Sequence, residues 1–290
     1  MKKWIIVMTV CVSLFAMTAC NNGQQETAES QTQTVETETE VSETETPEAE
    51  TPETEADTTI EERSNDVLNV YGPGGPKGPM EELALKFTEE TGIKVNLVAG
   101  PQSAWLDSAK QNADLIYGGS EYMLTELAGN HSNLIDEDTR TELYARASGI
   151  LVRKGNPKNI QSLEDLAKEG IEIIDVNGAG QLGLWEDLAG RKGLISDIQN
   201  NIAISVTSSA EAIEQWKADS KYDAWITYES WHYRLTEETD LVELPEDEKL
   251  YRGTPIAITK DSINKENAQK FIDYLKTESS HEVFVKWGWK

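Results

Sequence analysis

Residues 68–92 read LNVYGPGGPKGPMEELALKFTEETG, and the three parts of this stretch decide the fold class. Residues 68–71 form a short β-rich run. A Gly/Pro turn follows, and 79–91 then carries Met80, Leu83, Ala84 and Phe87 at i, i+3, i+4 and i+7, the apolar stripe of an amphipathic helix. Gly92 stands where a helix end takes up a left-handed residue, and Pro79 suits a first helical position. A strand feeding a helix through a glycine turn is half of a βαβ unit.

The unit recurs on either side of the chain's middle. Strands are predicted at 94–98 and 113–117, with helices near 104–111 and 121–128. Further strands are predicted at 148–153, 172–176, 202–206 and 223–227. Helices are expected over 162–168 with Ser162 as N-cap, over 183–189, and over 209–218 opened by a Ser208/Glu211 capping box. Residues 251–259 read as one long strand. The chain ends in a helix with Ala268, Phe271, Ile272 and Leu275 on one face, then a short helix into Lys286-Trp287-Gly288-Trp289. Strands alternating with helices predict the α/β class with parallel sheets covered on both faces. Two α/β lobes are the economical layout, lobe 1 about 67–147 plus 257–290 and lobe 2 about 148–256. Two crossing segments, near 146–151 and 252–258, would join them, with a ligand cleft between.

The N-terminus reads as an address. Lys2 and Lys3 precede an apolar stretch, 4–15, too short for a comfortable membrane span. Ala16-Met17-Thr18-Ala19-Cys20 resembles a bacterial lipobox, with Met17 in place of the usual Leu, so 1–20 is expected to be a lipoprotein signal peptide and Cys20 the lipidated residue. An ordinary signal peptide is the alternative. A diacylated cysteine holds a membrane firmly, which predicts an exported protein anchored to the outer face of the cell membrane. Cys11 falls in the discarded segment, so the mature chain would have no free thiol and no disulfide.

Residues 21–66 alternate Glu and Thr, with 15 acids and one basic residue, Arg63. Such a segment cannot bury enough apolar surface to offset its ordering entropy, and it reads as an acidic disordered tether or an acidic interaction tail. The whole chain carries −26; the tether accounts for −14 and the signal for +2, which leaves −14 for 67–290. A domain this acidic, with no basic stripe, is no nucleic-acid binder. An anion site must then be built locally.

The informative residues lie at strand-to-helix turns, where ligands of doubly wound sheets sit against helix N-termini. Gly74 and Gly75 follow the first strand, Gln102 and Ser103 the second, and Gly119 and Ser120 the third. Asn177-Gly178-Ala179-Gly180-Gln181-Leu182-Gly183 forms the corresponding turn of the second half. Each turn alone is equally consistent with a structural role; four at equivalent places suggest one shared cleft. Arg146 and Arg252 fall at the two crossings, where a guanidinium could fork onto a carboxylate, sulfate or phosphate or pair with local acids. Lys77 has a similar location but reads equally as a solvated flank. Trp185, Trp216 and Trp225 read as core; Trp105 and Trp231 read as cleft residues. His131, His232 and His281 are scattered without metal spacing, and no nucleophile elbow is present, so neither catalysis, a metal nor a cofactor is expected. Two rivals to anion capture remain. A cationic amine could be caged by Glu121, Glu229, Trp105 and Tyr228, or the chain could be a surface adhesion or colonization protein with a vestigial cleft.

Taken together, residues 68–76, 99–102, 114–118, 178–180, 183–187, 223–226 and 286–289 resemble the accessory colonization factor C family, relatives of the molybdate-type periplasmic and extracellular solute-binding proteins. The resemblance spans nearly all of 67–290. It implies a type II periplasmic-binding-protein fold and a small oxyanion or organic-acid ligand, sulfate-like, phosphorylated or carboxylated. Carried over by motif, the site would use Gly74, Gly75, Gln102, Ser103, Gly119, Ser120, Arg146, Gly178, Ala179, Gly180, Gln181, Gly183, Tyr228 and Arg252. Some relatives have a longer Ser/Thr-rich insertion after the Gly-Ala-Gly turn, where this chain has only Gln181 and Leu182. By analogy the partner would be an ABC-type permease, with the protein itself a monomer or homodimer.

Overall fold

The computed structural model describes residues 67–290; the expected signal peptide, Cys20 and the segment 21–66 lie outside the described residues. The first lobe is built on a five-stranded sheet of order β2-β1-β3-β11-β4. Its strands are β1 (Val67–Gly72), β2 (Lys94–Ala99), β3 (Leu115–Tyr117), β4 (Thr141–Glu142) and β11 (Pro255–Ile258). Successive side chains of a strand point to opposite faces, and this sheet uses both. Leu68, Val70, Leu115, Tyr117, Ile256 and Ile258 pack on one face against α1 (Lys77–Thr91), α8 (Lys265–Leu275) and α9 (Glu278–Lys286). Tyr71, Ile116 and Ala257 face the other way, onto α2 (Gln102–Asn112) and α3 (Glu121–Asn130).

The second lobe has a sheet of order β10-β5-β8-β6-β7, with β9 also paired to β5. These strands are β5 (Arg146–Arg153), β6 (Ile173–Val176), β7 (Ile202–Val206), β8 (Ala224–Tyr228), β9 (Thr239–Glu243) and β10 (Tyr251–Arg252). A single core joins them to α5 (Leu184–Lys192), α6 (Ile195–Asn200) and α7 (Ser209–Ala218), with Trp216 and Trp225 fully buried and Trp185 partly so.

Neither sheet is wholly parallel, as the alternation alone suggests. β1, β2 and β3 are parallel, as are β6, β7 and β8. β11 runs antiparallel to β3, and β5 antiparallel to β8 and β9, because these strands enter from the other lobe. The expected long strand 251–259 is two strands in different sheets. It breaks at Gly253-Thr254, where Gly253 lies against the Glu142 side chain and Leu143 N donates to Thr254 O at 3.0 Å. The crossings thus fall between β4 and β5 and between β10 and β11, so Arg146 and Ala147 belong to the second sheet and Pro255 and Ile256 to the first. The helix expected over 162–168 is a single turn, α4 (Leu163–Leu166). Ser162 stands at its N-cap without a side-chain bond, and Asp165 instead accepts the Gln161 N–H at 2.7 Å.

Candidate functional site

A cavity of about 490 Å³ lies between the lobes, at the carboxyl ends of β1, β2, β3 and β7. Gly74 and Gly75 reach it from the turn before α1, Gln102 and Ser103 from the first turn of α2, Gly119 from the turn before α3, and Thr207, Ser208 and Ser209 from the start of α7. The first N–H groups of an α-helix have no intrahelical acceptor and carry partial positive charge. In α1 and α2 they are not capped by a side chain, since both helices start at prolines, Pro76 and Pro101. These two helices also have no acid in the first turn, whereas the other α-helices of the described residues all do. In a domain of net −14, the starts of α1 and α2 face the cavity free of negative charge, while the start of α3 carries Glu121.

Arg146 lines the same cavity at 2 % exposure. Its Nη2 donates to Gly119 O, which belongs to the opposite lobe, and its Nε has no partner. Among the described residues no carboxylate forms an ion pair with it. Instead, the guanidinium carbon lies 4.0 Å from the Tyr228 ring centroid and 5.4 Å from that of Trp289. Burial lowers its pKa to about 10, with Tyr228 opposing this and the charge of Arg252 adding to it, so the group is cationic at neutral pH. A buried cation without a counter-ion is expensive, and an anion in the cavity would offset that cost.

A second guanidinium comes from a 3-10 turn, Glu229–Arg234, that follows β8. In a 3-10 helix residues three apart eclipse one another, and Tyr228, Trp231 and Arg234 all line the cavity. Arg234 Nη1 donates to Gly74 O across the cleft at 2.9 Å. Lys77 adds an ammonium at the rim, paired with Glu81 at 3.4 Å. Glu126, exposed, is the one acid lining the cavity among the described residues.

The second-lobe turn contributes less than its glycines suggest. Gly180 and Gln181 line the cavity, Gln181 Nε2 donating to Ser209 Oγ at 2.7 Å and the Tyr228 hydroxyl donating to Gly180 O. Gly178 is pressed against Thr207 O, Ala179 stands in the 3-10 turn Ala179–Gln181, and Gly183 takes the left-handed N-cap of α5. Neither Gly178 nor Gly183 lines the cavity. Ser120 is fully buried behind the site, where its Oγ accepts the Met123 N–H at 3.2 Å and caps α3. Arg252 is held by its own lobe, donating to Leu182 O at 2.7 Å and to Asp187 Oδ2 at 3.1 Å. Its charge reaches the cavity as field and not as contact.

Residues 68–290 match the family of bacterial extracellular solute-binding proteins. The chain belongs to this family. Among solved structures it is similar to L-phospholactate-bound PEB3, 33 % identical, covering 77 % of this chain and 99 % of that one with a TM-score of 0.72. A second structure of the same protein, Peb3 from Campylobacter jejuni, gives 33 % and 0.70. The sulfate-binding protein SubI of Mycobacterium tuberculosis shares the fold at 20 % identity, 77 % and 86 % coverage and a TM-score of 0.66. A probable amino-acid ABC transporter periplasmic-binding protein of Sinorhizobium fredii is 28 % identical over 155 residues, 49 % of this chain and 47 % of that protein, so the match spans about half of that relative. The two lobes and their paired crossings are the type II periplasmic-binding-protein fold, and the family is one of binding proteins, not enzymes.

Two aromatic and acidic expectations need correcting for this solute-binding protein. Trp105 is buried in the first lobe and does not line the cavity; its Nε1 donates at 3.1 Å to the carbonyl of Gly100, which does. Glu121 is paired with Arg140 at 2.6 Å, and Glu229 with Lys249 at 2.9 Å and Lys290 at 3.2 Å. The acids that a cationic amine would need are therefore neutralised elsewhere. Conversely, Thr207, Ser209 and Arg234 were not singled out from the sequence. The start of α7 is a fifth strand-to-helix turn, built from hydroxyls in place of glycines, and Arg234 is legible only from the three-residue spacing after Tyr228.

Proposed function

We propose that this solute-binding protein captures a small anion between its lobes, and that the anion is a phosphorylated or carboxylated organic acid. The observation that carries this is Arg146, a buried cation lining the cavity with which no carboxylate of the described residues forms an ion pair. Arg234, Lys77 and the acid-free starts of α1 and α2 support the same sign of charge. The likeness to L-phospholactate-bound PEB3 supports an acid carrying both phosphate and carboxylate, and sulfate or molybdate is the simpler oxyanion alternative. The resemblance to the accessory colonization factor C family fits this reading. Delivery to an ABC-type permease is part of the proposal, supported by the name of the Sinorhizobium relative.

Isothermal titration of the purified protein with L-phospholactate, phosphoglycerates, citrate, sulfate and molybdate tests it. Saturable binding of at least one is expected, weakened in Arg146→Ala by roughly 10- to 100-fold, the worth of a charge-assisted hydrogen bond. Binding of none, or equal binding by the variant, overturns it. We further propose that Cys20 carries the lipid anchor. Cys20→Ser should then move the protein from the membrane fraction to the soluble one, and unchanged fractionation rejects the anchor.

A further inference from the structure

We propose that Trp289 is the positioning residue for Arg146, and that the Trp287–Lys290 segment holds the anion-binding guanidinium in place. The inference rests on the anion reading of the cavity. A buried arginine is ordinarily fixed by a carboxylate, but that would neutralise the charge a ligand needs. Here the guanidinium is held by two rings, Tyr228 at 4.0 Å and Trp289 at 5.4 Å. A ring face attracts a cation without cancelling its charge.

Trp289 is built to stay where it is. It is 2 % exposed, and its Nε1 donates to Thr254 Oγ1 at 3.0 Å, in the segment by which the chain returns to the first lobe. Its backbone N–H donates to Phe284 O at 3.0 Å, and its ring meets Phe284 edge-on at 5.7 Å. The next residue ties down both sides of the cation. Lys290 N donates at 2.9 Å to the carbonyl of Ala145, the residue before Arg146. Lys290 Nζ pairs at 3.2 Å with Glu229, the residue after Tyr228. One short segment from the first lobe therefore touches both crossings and the residues next in sequence to Arg146 and Tyr228.

A double-mutant cycle with L-phospholactate and inorganic phosphate as probes tests the assignment, read by titration calorimetry. Trp289→Leu should weaken binding about 10-fold or more when Arg146 is present and less than about 2-fold in an Arg146→Ala background, which has no cation to hold. Trp289→Phe, which keeps a ring, should retain most of the affinity. The second readout needs no ligand. The Arg146 Nε–H resonance should be single and slowly exchanging in the wild type and Trp289→Phe, and broadened in Trp289→Leu. Thr254→Val, which frees the ring without removing it, should broaden it too, and it serves if Trp289→Leu does not fold. Equal loss of affinity in both backgrounds, or an Arg146 signal unmoved by any of these changes, overturns the positioning role alone. A wild type that binds neither these probes nor phosphoglycerates, citrate, sulfate or molybdate overturns the anion reading with it.

Discussion

At the scale of the residue, the site depends on where one guanidinium can go. Arg146 has the Tyr228 ring on one side and Trp289 further off on another, and the backbone of Gly75 approaches its Nη1. A Cβ built on Gly75 would lie 2.9 Å from that nitrogen. The turn itself can accept alanine, since Gly75 has no positive φ, so the substitution acts on the arginine and not on the loop. Gly75→Ala is expected to weaken anion binding roughly 10-fold, the effect of misaligning a charge-assisted bond, and to leave the melting temperature nearly unchanged. Parallel titration and thermal melts check it; a large drop in melting temperature with unchanged affinity contradicts it. Arg252 shows the limit of reading at this scale. Both arginines stand at crossings, and nothing in their spacing distinguishes them. Leu182 O and Asp187 claim one, and no acid of the described residues pairs with the other.

At the scale of the element, the lobes meet through their turns. A side chain on Gly180 would overlap Gly119 O, and one on Gly119 would lie 3.4 Å from the Gly180 backbone. The turns of β3 and β6 thus touch backbone to backbone, an approach that glycine at position 180 permits. Gly180→Ala should hold the lobes apart, and ligand affinity should fall by about 10-fold or more because closure is what removes the anion from water. Small-angle scattering with saturating anion should report a larger radius for the variant than for the wild type; equal radii and equal affinity reject the contact as a gate. Elements of this kind were legible where their signal is local. The strand-turn-helix units at 68–92 and 202–218 appear in sequence because the apolar periods and the capping pair Ser208/Glu211 are local features; Ser208 Oγ does accept the Glu211 N–H at 3.2 Å. β9 and the split of 251–259 were not legible. They are set by pairing with β5, β3 and β4, distant in sequence, and a run of 251–259 reads the same whether or not it changes sheets midway. α6 has only six residues, too few for a period to declare itself.

At the scale of the molecule, two fields of opposite sign act on an approaching anion. Far from the surface it meets a folded domain of −14, with the still more acidic 21–66 beside it in sequence. Within the cleft it meets Arg146, Arg234, Lys77 and the uncapped starts of α1 and α2. The range of each field depends on salt, since the screening length is about 30 Å at 0.01 M and about 10 Å at 0.1 M. At low ionic strength the distant repulsion extends through solution and slows encounter. At 0.15 M it is largely screened, while the cleft charges, partly buried and close to the ligand, are screened much less. The association rate of the anion should therefore rise several-fold between 10 and 150 mM sodium chloride, with the dissociation rate changing little. This is the reverse of ordinary electrostatic steering, in which salt slows association. Stopped-flow mixing over that range, following tryptophan fluorescence, gives both rates. An association rate that falls with salt would mean that the local cations already dominate the far field. In that case the acidity of this chain has no part in how its ligand arrives.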